Sequence, residues 1–196
     1  MASRADGDKE LVALARSGDR AAFDQLVERY QRRLLRLVLR LLRDPAEAED
    51  VVQETFLRAY RGLPRFRGES AFFTWLYRIA INAAHNAILN RKRRPVPVPQ
   101  PRSRPGPQEA VPEASTPEGL LLSKQVMATV DAALDALPLE LRTAIVLREI
   151  EGLSYEEIGE IMACPLGTVR SRIFRAREAI ARRLRPLLDL PVDKRW

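Results

Sequence analysis

Apolar positions recur at helical spacing along most of the chain, and no segment alternates with period two over a strand length. The longest stripe passes through Phe23, Leu26, Val27, Tyr30, Leu34, Leu37, Val38 and Leu41. It predicts a helix over 19–42, preceded by a short one over 9–17. Asp44-Pro45-Ala46-Glu47 then offers an Asp cap, a first-turn proline and an acid at the third position. Proline lacks an amide hydrogen that would be unpaired there anyway, and the acid suits the positive end of the helix dipole. A third helix is therefore expected from there to about 61. A loop follows over 62–68, and Ser70 is expected to cap a fourth helix reaching about 92. Thr116-Pro117-Glu118 begins another helix ending near 136, and Pro138 begins the next, which Gly152 ends. The predicted fold class is all-α.

Proline interrupts this pattern once at length. Eight of the 14 prolines fall between 95 and 117, a density that excludes a helix or a central strand. The chain is expected to divide into a helical domain over 1–93, a proline-rich linker over 94–117 and a second helical domain over 118–196. An extended polyproline linker of that length reaches up to roughly 70 Å. Two helical turns of DNA span about as much. An ordinary tether with no geometric purpose has the same composition.

The sequence SYEEIGEIMACPLGTVRSRIFRAREAIARRLR, over 154–185, predicts helix, tight turn, helix. Ser154 and Glu157 form a capping box, which satisfies two amide hydrogens at the helix start. Ala163-Cys164-Pro165 break the first helix. Val169, Ile173, Ala176, Ile180 and Leu184 give the second helix one buried face. Its other faces carry seven arginines against Glu178, a charge of +6 over the 21 residues 165–185. The whole chain of 196 residues has only +7. A helix this basic on a helix-turn-helix fits the major groove of DNA, where a solvated basic face is the bland alternative.

Composition agrees with a nucleic-acid partner. An isoelectric point near 10.1 implies a polyanion partner, either nucleic acid or an anionic membrane surface. One cysteine excludes an internal disulfide and points to a reducing compartment. The polar start of the chain carries no apolar leader run, and no apolar stretch approaches membrane length. These features predict a soluble, cytoplasmic protein.

Three clusters before the linker bear on function. Phe66, Phe72, Phe73, Trp75 and Tyr77 are five of the 12 aromatic residues, and they lie within 66–77 among Arg65, Arg67 and Arg78. Rings beside arginines suit unstacked bases, and equally suit a core. Arg78, Asn82, Asn86 and Asn90 repeat every four residues, and run into a basic cluster at 91–94. Asparagine is a poor helix former whose amide can pair with a base edge, though a solvated face would look the same. Glu47, Glu49, Asp50 and Glu54, with Gln53, make the third helix acidic. That face either steers docking to a basic protein surface or merely solubilises. His85 is expected at the surface, since no second histidine exists to share a metal.

Together the strings DVVQETFLRAYR (50–61), FRGESAFFTWLYRIAIN (66–82) and LREIEGLSYEEIGEIMACPLGTVRSRIFRAREAI (147–180) resemble an RNA polymerase sigma factor of the extracytoplasmic-function class, of the sigma-E type. The resemblance covers about 8–190. It implies a transcription initiation factor that binds core RNA polymerase and directs it to a small set of promoters. Asp50, Gln53 and Glu54 would dock on the β′ clamp coiled coil, and the second domain would meet the β flap. Phe66, Trp75, Tyr77, Arg78 and Asn82 would capture and hold the melted −10 element. An aromatic pocket with an amide can offset the few kcal/mol that unstacking a base costs, roughly. Arg170, Ser171, Phe174, Arg175 and Arg177, with Arg148 on the preceding helix, would read the −35 duplex. Gly167 and Thr168 would meet phosphates at the helix start. The resemblance further implies a stress response under an anti-sigma factor anchored in the membrane. No cofactor, metal or small-molecule ligand is implied.

Two other classes fit less of the chain. A free-standing dimeric helix-turn-helix regulator explains 138–185 but leaves the acidic helix and aromatic loop idle. A recombinase-like enzyme lacks any glycine-rich phosphate loop, His-Glu-x-x-His string or cysteine pair.

Overall fold

The computed structural model describes residues 2–93 and 117–188, and every element in it is a helix. The first group comprises α1 (Ala2–Arg16), α2 (Arg20–Leu42), α3 (Pro45–Gly62), a 3-10 turn (Leu63–Arg65) and α4 (Phe72–Arg93). The second comprises α5 (Pro117–Ala136), α6 (Leu139–Glu149), α7 (Tyr155–Met162) and α8 (Leu166–Leu188). The proline-rich stretch 94–116 lies outside the described residues.

Local chemistry accounts for most boundaries. The Asp19 carboxylate accepts from Ala22 N, and Asp44 accepts from both Ala46 N and Glu47 N. Each such cap contributes about 1 kcal/mol. Helix α2 stops at Arg43, which adopts a left-handed φ of 62° while its amide donates to the Leu39 carbonyl. Helix α4 begins at Phe72, two residues past Ser70, because its first main-chain bond runs from Trp75 N to the Ala71 carbonyl. Helix α6 ends at Glu149, before Gly152 turns the chain at a φ of 68°.

The apolar stripe of α2 forms the centre of the first domain. Leu26, Leu34, Leu37, Val38 and Leu41 are fully buried against α3, α4 and α1. Each leucine so buried contributes about 1.5–3 kcal/mol. In the second domain α8 packs on α6, α5 and α7 through Val169, Ile173 and Ala176. The two domains also meet, with α4 on α7 and α2 on α6.

Candidate nucleic-acid interface

The helix-turn-helix is built as its sequence requires. Ser154 and Glu157 exchange both bonds of a capping box, Oγ accepting from Glu157 N at 3.1 Å and Oε2 accepting from Ser154 N at 2.7 Å. Ala163 takes a left-handed φ of 49°, which ends α7, and Cys164-Pro165 carry the chain into α8. With Val169, Ile173 and Ala176 turned inward, Arg170, Ser171, Phe174 and Arg175 form one exposed face. Phe174 is 68% exposed, an unusual position for a phenylalanine that has nothing to touch. Gly167 is exposed and Thr168 half-buried in the first turn of α8.

Two of the expected −35 residues have protein partners. Arg148 donates to the Leu153 carbonyl at 2.7 Å and lies over the Tyr155 ring, 4.8 Å from its centroid. It ties the α6–α7 connection together. Arg177 donates to Glu149 at 2.6 and 3.0 Å, and that carboxylate raises its already high pKa. Arg172, not among the expected residues, ion-pairs with Glu140 and donates to the Cys164 sulfur at 3.4 Å, so it braces the turn.

The aromatic cluster is folded in on itself. Phe66 packs against Trp75 at 4.9 Å and Phe72 at 6.2 Å, measured between ring centroids. None of the five rings is exposed: Phe66, Phe72 and Tyr77 are buried, and Phe73 and Trp75 half-buried. Gly62 leaves room for Trp75, since a Cβ there would lie 3.1 Å from the indole. Arg78 is half-buried, with its Nε shielded from solvent. Asn82, Asn86 and Asn90 are exposed along one face of α4.

The acidic face of α3 is open. Asp50 and Gln53 are exposed, and half-buried Glu54 pairs with Arg58 one turn on at 2.6 Å. Leu57 and Tyr60 stand exposed on the same helix. An exposed leucine and tyrosine flanking acids make a surface suited to a protein rather than to DNA.

Contacts that bridge the domains were not legible in the sequence. The Tyr77 hydroxyl donates to Glu151 Oε2 at 2.8 Å, and Arg33 Nη2 donates to the same oxygen at 3.1 Å. Burial, and then the Glu151 carboxylate, push the Tyr77 hydroxyl pKa well up. His85 is half-buried rather than at the surface, because α6 packs over it. Its Nε2 lies 3.0 Å from Thr143 Oγ1, which itself donates to the Leu139 carbonyl. Burial lowers its pKa below 6.5. Among the described residues no group of three metal-ligating side chains converges.

Two helical domains, one presenting an arginine-bearing helix on a helix-turn-helix, define a DNA-binding transcription protein. Comparison with known proteins narrows the class. The Sigma-70 region 2 family matches residues 26–94, and the Sigma-70, region 4 family matches residues 127–180. The chain is 51% identical over 185 residues to the RNA polymerase sigma-H factor of Pseudomonas aeruginosa, covering 92% of this chain and 95% of that one. It is 49% identical over 189 residues to the ECF RNA polymerase sigma-E factor of Escherichia coli K12, covering 92% and 96%. Among solved structures, CnrH in complex with the cytosolic domain of CnrY aligns with a TM-score of 0.68 at 28% identity, over 91% of this chain and 97% of that chain. The sigma factor RpoE in complex with the anti-sigma factor NepR from Bartonella quintana aligns with a TM-score of 0.66 at 25% identity, over 88% and 98%.

The chain belongs to the extracytoplasmic-function branch of the sigma-70 family of RNA polymerase sigma factors. It directs RNA polymerase to promoters and is not itself an enzyme. Among the described residues no helix is long and apolar enough to cross a membrane.

Proposed function

We propose that the two domains divide promoter recognition between them. The first domain, 1–93, docks on the β′ clamp through Asp50, Gln53 and Glu54 and holds the melted −10 element with Phe66, Trp75, Tyr77, Arg78 and Asn82. The second, 118–196, meets the β flap and reads the −35 duplex through Arg170, Ser171, Phe174 and Arg175. Gly167 and Thr168 lie against phosphate, Arg177 flanks the reading face while paired with Glu149, and Arg148 holds the α6–α7 connection that positions it. The linker, 94–117, joins the two.

The exposed face of α8 carries this reading. Basic and aromatic side chains stand outward together on a helix whose opposite face is buried at Val169, Ile173 and Ala176 and half-buried at Ile180 and Leu184. Arginine pairs with guanine edges, a phenyl ring suits a thymine methyl, and serine adapts to either. The acidic face of α3 supports the docking assignment by its charge, since acids are repelled by DNA and attracted to a basic protein surface.

By kinship with the sigma factors solved in complex with anti-sigma factors, an anti-sigma factor holds this chain inactive in the cytoplasm until stress releases it. Run-off transcription with purified core polymerase tests the whole reading. RNA synthesis from discrete start sites is expected only when this chain is added. A chain that binds promoter DNA but starts no RNA would leave the dimeric regulator as the better description.

A further inference from the structure

We propose that Glu149 is a specificity-determining residue for the −35 element: it occupies Arg177 at the edge of the reading face, and so holds down the grip of that face on DNA of any sequence. This rests on the reading of α8 as the helix that enters the −35 groove.

The arginines of α8 are not equivalent in the folded chain. Arg170 and Arg175 are exposed on the reading face, and no acid among the described residues pairs with either. Arg172, Arg177 and Arg182 each face a carboxylate, from Glu140, Glu149 and Glu178. The Arg172 side chain is 19% exposed and braces the turn, so its pair serves the fold. Arg182 meets Glu178 of its own helix at 4.0 Å, too loosely to direct it. Arg177 differs from both. Its side chain is 52% exposed, it follows Arg170 and Phe174 at helical spacing, and its acid comes from α6.

Glu149 holds the edge of Arg177 that a phosphate would use. Nε and Nη2 both donate to Glu149 Oε1, at 3.0 and 2.6 Å. Those two donors form the planar fork with which arginine grips a carboxylate or a phosphate. A phosphate approaching the fork meets a carboxylate already seated on it, and the two anions repel.

Local helix chemistry does not favour an acid at this place. Glu149 is the last residue of α6, at the negative end of the helix dipole, where a base is preferred. What the acid does there is neutralise Arg177 beside the reading face.

The consequence differs between the two classes of duplex. Sequence-independent binding consists of phosphate contacts, and each arginine that joins raises both the affinity and its dependence on salt. Specific binding adds base-edge contacts from Arg170, Ser171, Phe174 and Arg175, which fix the depth and direction of α8 in the groove. A freed Arg177 has most to add where nothing fixes the helix. Neutralising it therefore lowers affinity for random sequence more than affinity for the −35 element. An exposed pair is weak, so the effect is a few-fold one.

Fluorescence anisotropy of the full-length chain tests this over a range of salt on two labelled duplexes. One carries the −35 element of a promoter mapped by run-off transcription, and the other a random sequence of equal length. Glu149→Gln keeps the shape of the side chain and removes its charge. It is expected to bind the random duplex about fivefold tighter, with a salt slope steeper by about one, while −35 affinity rises no more than about twofold. Glu149→Ala, which removes the acceptor as well, is expected to do at least as much. Adding Arg177→Ala to Glu149→Gln is expected to restore the native affinity and slope on random duplex. Circular dichroism melting confirms that each variant is folded.

An equal gain on both duplexes would overturn the proposal, because the pair would then limit affinity and not choice. A gain that survives Arg177→Ala would overturn it too, since loss of an acid alone would explain it, and so would no gain at all. Arg175→Ala tests the underlying reading separately. It is expected to weaken −35 binding about tenfold and random binding far less. If it weakens both alike, the reading of α8 falls and the role of Glu149 with it. If Arg175→Ala behaves as expected and Glu149→Gln does not, only the role of Glu149 falls.

Discussion

Ile173 and Phe174 are adjacent on α8 and should behave as opposites. Ile173 is 1% exposed and packs into the helix-turn-helix core, whereas Phe174 is 68% exposed. Ile173→Ala removes buried methyl and methylene groups and leaves a cavity, which costs about 2–5 kcal/mol. In a domain this small each kcal/mol lowers the melting temperature by about 4–8 °C. Phe174→Ala removes a ring that already faces water, so its effect on folding should stay within about 0.5 kcal/mol. On a −35 duplex the ranking reverses. Burying the exposed part of that ring against a thymine methyl is worth about 1–2 kcal/mol, or roughly 5–30-fold in affinity. Thermal denaturation followed by circular dichroism measures the first effect, and anisotropy with a promoter duplex the second. If Phe174→Ala melts the domain as Ile173→Ala does, the exposed face is misassigned. If it melts normally yet binds the duplex at full strength, Phe174 does not enter the groove.

Asn82→Ala should impair promoter opening by polymerase more than polymerase binding, which permanganate footprinting against a pull-down will separate; equal open-complex formation would remove Asn82 from the site. Glu54→Lys reverses a charge on the open face of α3 and breaks only its pair with Arg58, so it should reduce recovery of core polymerase in a pull-down about tenfold without changing the fold. Undiminished recovery would defeat the docking assignment. The contact between the domains should weaken in acid through His85, which faces Thr143 and Glu140 of α6 and Arg172 of α8. Burial lowers its pKa while the domains are packed together, so a separated His85 binds a proton more readily as pH falls through the ordinary histidine range, and the packed arrangement loses ground there. Tyr77 nitration relative to Tyr60 should therefore be greater at pH 5.5 than at pH 7.5, and His85→Gln should flatten that difference; an unchanged profile in His85→Gln would refute the argument.

The caps at Asp44 and Ser154, and the periodic stripes of α2 and α8, were all legible because each is a relation among residues within a few turns of one another. The orientation of α8 followed as well: once Val169, Ile173 and Ala176 are turned inward, Arg170, Phe174 and Arg175 have only solvent left to face. The start of α4 was read one residue early, since Ser70 is a good cap by type but the first helical bond runs from Trp75 N to the carbonyl of Ala71. The resemblance places Arg148 and Arg177 among the −35 residues, and tertiary structure gives them protein partners in the Leu153 carbonyl and Glu149.

Chain order by itself therefore determined helices, their inward and outward faces, and the kinship of the motifs, because these depend on short spacings and on residue chemistry. Tertiary structure alone decided the fate of the aromatic cluster, the burial of His85 and the pairings of Arg33 with Glu151, Arg43 with Asp135 and Arg142 with Leu41. Those partners lie 118, 92 and 101 positions apart, across the proline-rich stretch. No periodicity reaches that far, and a charge or hydroxyl has many equivalent partners until packing brings one of them within hydrogen-bond distance.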